Sequence, residues 1–265
     1  MSARSDFAGP DIAERRDAFY WRFVVTAVSF LVFGVGAAVV GAGLLPVVRL
    51  APAAREVKRM RARAVLRLGL RFFIGVMNQL RGLTYEFHGV ERLGRPGQLI
   101  VANHPSLIDA VFLLAFTRGA NCVVKQGLWR NPLTRSAVVL AEFITNHPTK
   151  AMIETSAAAL RRGETLIVFP EGTRTTPGQA PVFHRGAANV ALRAARSVTP
   201  VYIRCEPTTL TKAEPWYRIP SRRPRFSLIV GEDLDLERHR GRSLPLASRQ
   251  FNDELHAQFR AALAR

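Results

Sequence analysis

Apolar positions fall along this chain in two different patterns. Residues 23–48 contain no charged side chain and are bracketed by Arg22 and Arg49. About 20 apolar residues suffice to cross a bilayer, and Tyr20 and Trp21 at the leading edge suit the headgroup region. The run therefore predicts a transmembrane or membrane-embedded segment, preceded by a tail over 1–22. Gly34, Gly36, Gly41 and Gly43 are tolerated in membrane helices. A dip into one leaflet with a break near 41–43, or a hairpin buried in a soluble domain, fits the same run.

Over 49–82 arginines alternate with Val57, Met60, Val65, Leu68, Phe72, Phe73 and Ile74, which predicts a basic amphipathic helical region able to lie on an anionic membrane surface. From residue 83 to 265 the pattern changes to short apolar runs alternating with helical spacing. Strands are predicted at 84–87, 98–102, 121–124, 142–145, 165–169, 199–204 and 225–230. Helices are predicted at 107–117, 132–141, 152–161, 187–195 and 247–263. This alternation defines an α/β domain with a mostly parallel, mixed sheet covered by helices. The segment 207–224, with its prolines, arginines, Trp216 and Tyr217, reads as a surface loop, with a membrane- or carrier-docking loop as the alternative.

Charge then narrows the partners. A formal net charge of +18 on 265 residues calls for a polyanionic partner: nucleic acid, anionic lipid or an acidic carrier. No helix-turn-helix, zinc spacing or basic-aromatic RNA signature is present, so nucleic acid is not expected. Arg49, Arg55, Lys58, Arg59, Arg61 and Arg63 follow the apolar run, whereas Asp6, Asp11, Glu14 and Asp17 offset the arginines before it. The positive-inside tendency thus puts the C-terminal side, with the 83–265 domain, on the cytoplasmic face of the inner membrane. Cys122 and Cys205 lack metal-type spacing, so no metal is expected.

The chemistry concentrates at two strand ends. Asn103-His104-Pro105-Ser106-Leu107-Ile108-Asp109 follows the run 98–102. Pro105 biases His104 away from the α region, and Ser106 is a candidate helix cap. An imidazole with a carboxylate on one nitrogen makes a general base at the other. A capped helix start with a solvated histidine fits the segment equally. Pro170-Glu171-Gly172-Thr173-Arg174 follows the run 165–169, and ligands of open α/β sheets collect at that edge.

These two blocks, N-H-x-x-x-x-D and F-P-E-G-T-R, resemble those of the glycerolipid acyltransferase family typified by 1-acyl-glycerol-3-phosphate acyltransferases. Val198-Thr199-Pro200-Val201 resembles its apolar-Pro-apolar block. The resemblance implies a glycerol-3-phosphate acyltransferase-like fold and O-acyl transfer from an acyl-CoA or acyl-acyl-carrier-protein co-substrate to a lipid hydroxyl such as lysophosphatidic acid, in phospholipid biosynthesis. It implies His104 and Asp109 as catalytic residues and Asn103, Glu171, Gly172, Thr173 and Arg174 as substrate-binding, with backbone donors near Gly172 as candidates for the oxyanion. Lys125, Asn146 and Arg185 are the further substrate-binding candidates.

One block departs from the family pattern. Many phosphate-acceptor members carry F-I-x-R, where this chain has Phe143-Ile144-Thr145-Asn146. A neutral amide replaces a charged planar fork, which leaves another lysolipid, or a specialised anchor such as an aryl polyene lipid, open as acceptor. A non-catalytic lipid- or carrier-binding module is the remaining alternative. No G-x-S-x-G elbow occurs, so an acyl-serine route has no support.

Overall fold

The computed structural model describes residues 19–176, 181–212, 214–215, 217–239 and 241–264. The acidic and basic residues read ahead of Phe19, and Trp216 of the surface loop, lie outside them. Helix α1 (Phe19–Ala38) continues through a wide π turn (Val39–Leu44) into α2 (Leu45–Leu50), so the glycines at 41 and 43 loosen the helix without breaking it. α3 (Arg55–Gln79) packs back along α1 as an antiparallel partner.

The strands are β1 (Thr84–His88), β2 (Gln98–Ala102), β3 (Asn121–Val124), β4 (Ile144–Thr145), β5 (Leu166–Val168), β6 (Ser197–Glu206) and β7 (Arg225–Val230). They form a sheet of order β1-β7-β6-β2-β5-β3-β4. Only the β6–β7 pairing is antiparallel, so five strands point their C-terminal ends at one edge. β2 and β5 lie at the centre with every residue buried, which is why both read as unbroken apolar runs. Strand alternation then divides the core. Ile100, Ala102 and Ile167 face α3 and α4 (Asp109–Phe116), while Leu99, Val101 and Val168 face α7 (Thr149–Arg161), α8 (Gly186–Ala194) and α9 (Leu244–Ala264).

Several predicted boundaries move. The strand expected at 142–145 is only Ile144–Thr145, because Glu142 has a positive φ of 54° and closes the end of α6 (Pro132–Leu140). α5 (Gly127–Arg130) was not predicted; a single turn has no apolar period to detect. The basic face of α3 is also not uniformly turned outward. Arg59 and Arg63 are buried, and reach Glu164 at 3.2 and 2.8 Å, with Arg63 also donating to the carbonyls of Ala141 and Gly119. These two arginines join α3 to the sheet instead of a membrane surface.

Candidate active site

β2 ends at Ala102, and the next residue extends its pairing through a side chain. Asn103 donates its amide to the Ile203 carbonyl and accepts from the Ile203 N–H, both at 2.8 Å, just past the Ala102–Val201 pair. A buried amide whose oxygen and one N–H are committed to β6 is a splice between strands rather than a substrate contact, so Asn103 fixes where His104 leaves the sheet.

His104 Nδ1 lies 2.9 Å from Asp109 Oδ2. Asp109 opens α4 and is fully buried, and the same oxygen accepts the Ser106 N–H at 2.6 Å. An ionised carboxylate only accepts, so it selects the tautomer with hydrogen on Nδ1 and leaves Nε2 with a lone pair. The imidazole retains 17% side-chain exposure, and Phe169 stacks on it with ring centres 4.3 Å apart. Burial pushes the Asp109 carboxyl above the usual carboxylate range, against the opposing pull of His104, the Ser106 N–H and the charge of Arg174.

Ser106 is not a cap. Its hydroxyl donates to the Thr209 carbonyl at 3.0 Å, and Ile108 occupies the N-cap position without a side-chain bond. Asp109, inside the first turn, instead accepts the Ser106 N–H and ties the loop back onto the start of α4.

The second motif braces the first. Glu171 is buried, accepts the His104 N–H at 2.9 Å through one oxygen and the Thr175 hydroxyl through the other, and Thr175 N–H donates to the His104 carbonyl at 2.8 Å. Each Glu171 oxygen thus holds one donor, so the carboxylate braces the backbone on both sides of His104. Burial raises its carboxyl pKa as well, partly offset by those donors. Gly172 has φ of 65°, where only glycine is unstrained, and its N–H is committed to the Phe169 carbonyl at 3.1 Å, which removes it as an oxyanion donor. Thr173 is exposed in the turn. Arg174 donates through Nη1 to the carbonyls of Leu210 and Thr211 at 2.8 and 3.0 Å, so it holds the loop after β6 against the site.

The remaining candidates sit apart from this network. Lys125 is exposed just beyond β3, and Asn146 joins the ends of β3 and β4 by donating to Val124 O at 2.9 Å and accepting Gln126 N–H at 3.2 Å. Arg185 is exposed at the start of α8. Phe169 and Thr175 were missed as site residues. Phe169 opens the F-P-E-G-T-R block, but its apolar character assigned it to the strand.

An apolar cavity of about 360 Å³ reaches the loop that carries the dyad. Leu107 and Ile108, from the same loop, line it with Phe30 and Phe33 of α1, Phe73 of α3 and Phe143. A histidine–carboxylate pair at a sheet edge, on the loop that also lines an apolar cavity, is a constitution that suits acyl chemistry.

The comparisons agree with this constitution. Residues 84–204 match the family model described as Acyltransferase. The chain is 30% identical over 149 residues to a 1-acyl-sn-glycerol-3-phosphate acyltransferase of Pseudomonas aeruginosa, covering 54% of this chain and 58% of that one. It is 28% identical over 162 residues to the enzyme so named from Saccharomyces cerevisiae, covering 57% of this chain and 52% of the relative. The matched segment thus spans little more than half the length of these curated relatives. The crystal structure of the 1-acyl-sn-glycerophosphate acyltransferase PlsC from Thermotoga maritima shares the fold, with a TM-score of 0.67 at 19% identity over 92% of this chain and 97% of that one. Residues 84–204 are thus similar to the acyltransferase family model, on a fold shared with that acyltransferase structure.

Proposed function

We propose that this protein is a membrane-bound O-acyltransferase that moves an acyl chain from a thioester, either acyl-CoA or an acyl-acyl carrier protein, to the hydroxyl of a lysolipid. The observation that carries the reading is the 2.9 Å contact between His104 Nδ1 and the buried Asp109, on the loop that also lines an apolar cavity. Nε2 of His104 takes the proton of the acceptor hydroxyl as its oxygen bonds to the thioester carbonyl carbon. Asp109 stabilises the imidazolium. When the tetrahedral intermediate collapses, the C–S bond breaks and the proton passes from His104 to the departing sulfur. The free energy of the thioester drives the transfer, so no metal and no covalent acyl-enzyme are required. The acyl chain occupies the cavity walled by Phe30, Phe33, Phe73 and Phe143, and its thioester end reaches His104 past Leu107 and Ile108.

Lysophosphatidic acid is the acceptor that the relatives' names support. One observation favours a second reading. Asn146 stands where a phosphate-gripping arginine is expected, and its carbonyl oxygen is used on Gln126 N–H, so a lysolipid or lipid alcohol without a phosphomonoester is the alternative acceptor. The test is turnover of a radiolabelled acyl thioester by the purified full chain in detergent, against a panel of lipid alcohols. His104→Ala is expected to lower transfer by about 10²–10⁴-fold. Near-normal turnover by that variant, or no turnover by the parent with any acceptor, overturns the reading.

A further inference from the structure

A second basic cluster lies away from the dyad. Arg67 and Arg71 are one turn apart on α3, and Arg118 stands two residues beyond the end of α4. Asp109 begins that helix, so its eight residues separate the cluster from the dyad by about 12 Å. The guanidinium of Arg71 lies 5.2 Å from the centre of the Phe116 ring. Among the described residues no carboxylate forms an ion pair with Arg67, Arg71 or Arg118, in contrast to Arg59 and Arg63 on the same helix. Burial first, and then the charges of Arg71 and Arg118, push the Arg67 pKa down. Arg67 Nε is buried without a hydrogen-bond partner. Three like charges gathered without a counter-charge repel one another, and an anion relieves that repulsion.

The flanking surface identifies the anion. Leu68 and Phe72, next to these arginines on α3, are 62% and 68% exposed. Inorganic phosphate has no use for apolar side chains beside its site. A phospholipid has both parts. We propose that Arg67, Arg71 and Arg118 bind the phosphate of an anionic membrane phospholipid whose acyl chains lie against Leu68 and Phe72. The site is separate from the His104 site and stands independently of the acyl-transfer reading. Its occupancy docks α3, and the end of α4 with it, onto the leaflet.

The test uses the full chain in a neutral detergent, titrated with short-chain phosphatidylglycerol, short-chain phosphatidylcholine or inorganic phosphate, with binding read by thermophoresis. Arg118→Gln is in an exposed turn and serves as the conservative variant, with Arg67→Gln/Arg71→Gln/Arg118→Gln as the full one. Arg249→Gln/Arg260→Gln on α9 is the charge-matched control. Phosphatidylglycerol should bind the parent at least tenfold more tightly than phosphatidylcholine, and each arginine removed from the cluster should weaken it about fivefold. The α9 control should retain parental binding. The proposal is overturned if Arg118→Gln binds phosphatidylglycerol as the parent does, if the α9 control loses as much, or if inorganic phosphate competes at equal concentration.

Discussion

Asp109 is a carboxylate folded where water cannot reach it, and that position has a measurable cost. Burial raises its pKa more than His104 and the Ser106 N–H lower it. Above the folded pKa the group is charged in both states and the full cost of burying it is present. As pH falls through that pKa towards the unfolded value, the native state takes up the proton first and the cost fades. Asp109→Asn should therefore melt at the same temperature as the parent or higher at neutral pH, and any advantage should shrink on acidification. Its acyl transfer should fall by about 10²-fold or more, since the imidazolium loses its counter-charge. Thermal melts and initial rates across the same pH series check both halves; a gap in melting temperature that widens in acid contradicts the assignment of cost to this carboxyl. Asn146 invites the opposite experiment, a gain. A charge-assisted contact contributes roughly 1.5–3 kcal/mol, so Asn146→Arg should improve kcat/KM for lysophosphatidic acid about tenfold or more relative to an uncharged acceptor. A parent that already prefers lysophosphatidic acid strongly, with a neutral or harmful Asn146→Arg, makes Asn146 irrelevant to the choice.

At the scale of elements, α3 carries two kinds of arginine that its sequence does not distinguish. Both kinds recur at helical spacing among apolar residues. Arg63 is separated by its contact with Glu164, a residue 101 positions later in the chain that no local pattern could supply. The same limit governs the site. His104, Asp109 and Glu171 were legible because each motif is contiguous and follows an apolar run that reads as a strand. The splice from Asn103 to Ile203 and the grip of Arg174 on Leu210 depend on which strands are neighbours in the sheet, and composition does not encode that order. The buried pairing of α3 to the sheet can be measured directly. Glu164→Gln leaves the guanidinium of Arg63 without its charge partner in a dry site, and should destabilise the protein by about 3–5 kcal/mol. Arg61→Gln, on the exposed side of α3, should change stability by less than about 0.5 kcal/mol. Denaturant titration in one detergent compares them, and equal effects would place Arg63 and Arg61 in equivalent surroundings.

For the whole molecule, the helix from Tyr20 to Leu50 works on two sides at once. It is long and apolar enough to cross a membrane, yet only 11% of its most apolar window is buried. Val25 and Leu45 pack inward, and Phe30 and Phe33 wall the cavity, while Leu31, Val35, Val39 and Val47 are exposed. An exposed apolar surface this continuous is unfavourable in water and favourable in lipid. The apolar cavity therefore shares a wall with this exposed apolar helix. Attachment through such a surface differs from attachment through arginines. Salt screens charges separated by more than about 10 Å at 0.1 M and weakens a purely basic contact, whereas buried apolar surface is insensitive to it. The full chain should thus pellet with membranes, remain there in high salt and in alkaline carbonate, and come off only in detergent. Replacing Leu31, Val35 and Val39 together by serine should convert it to a salt-releasable protein while Asn103, His104 and Glu171 keep their hydrogen bonds within the catalytic domain. Release of the unaltered chain by salt alone would show that this helix is held at the surface by charge and is not embedded.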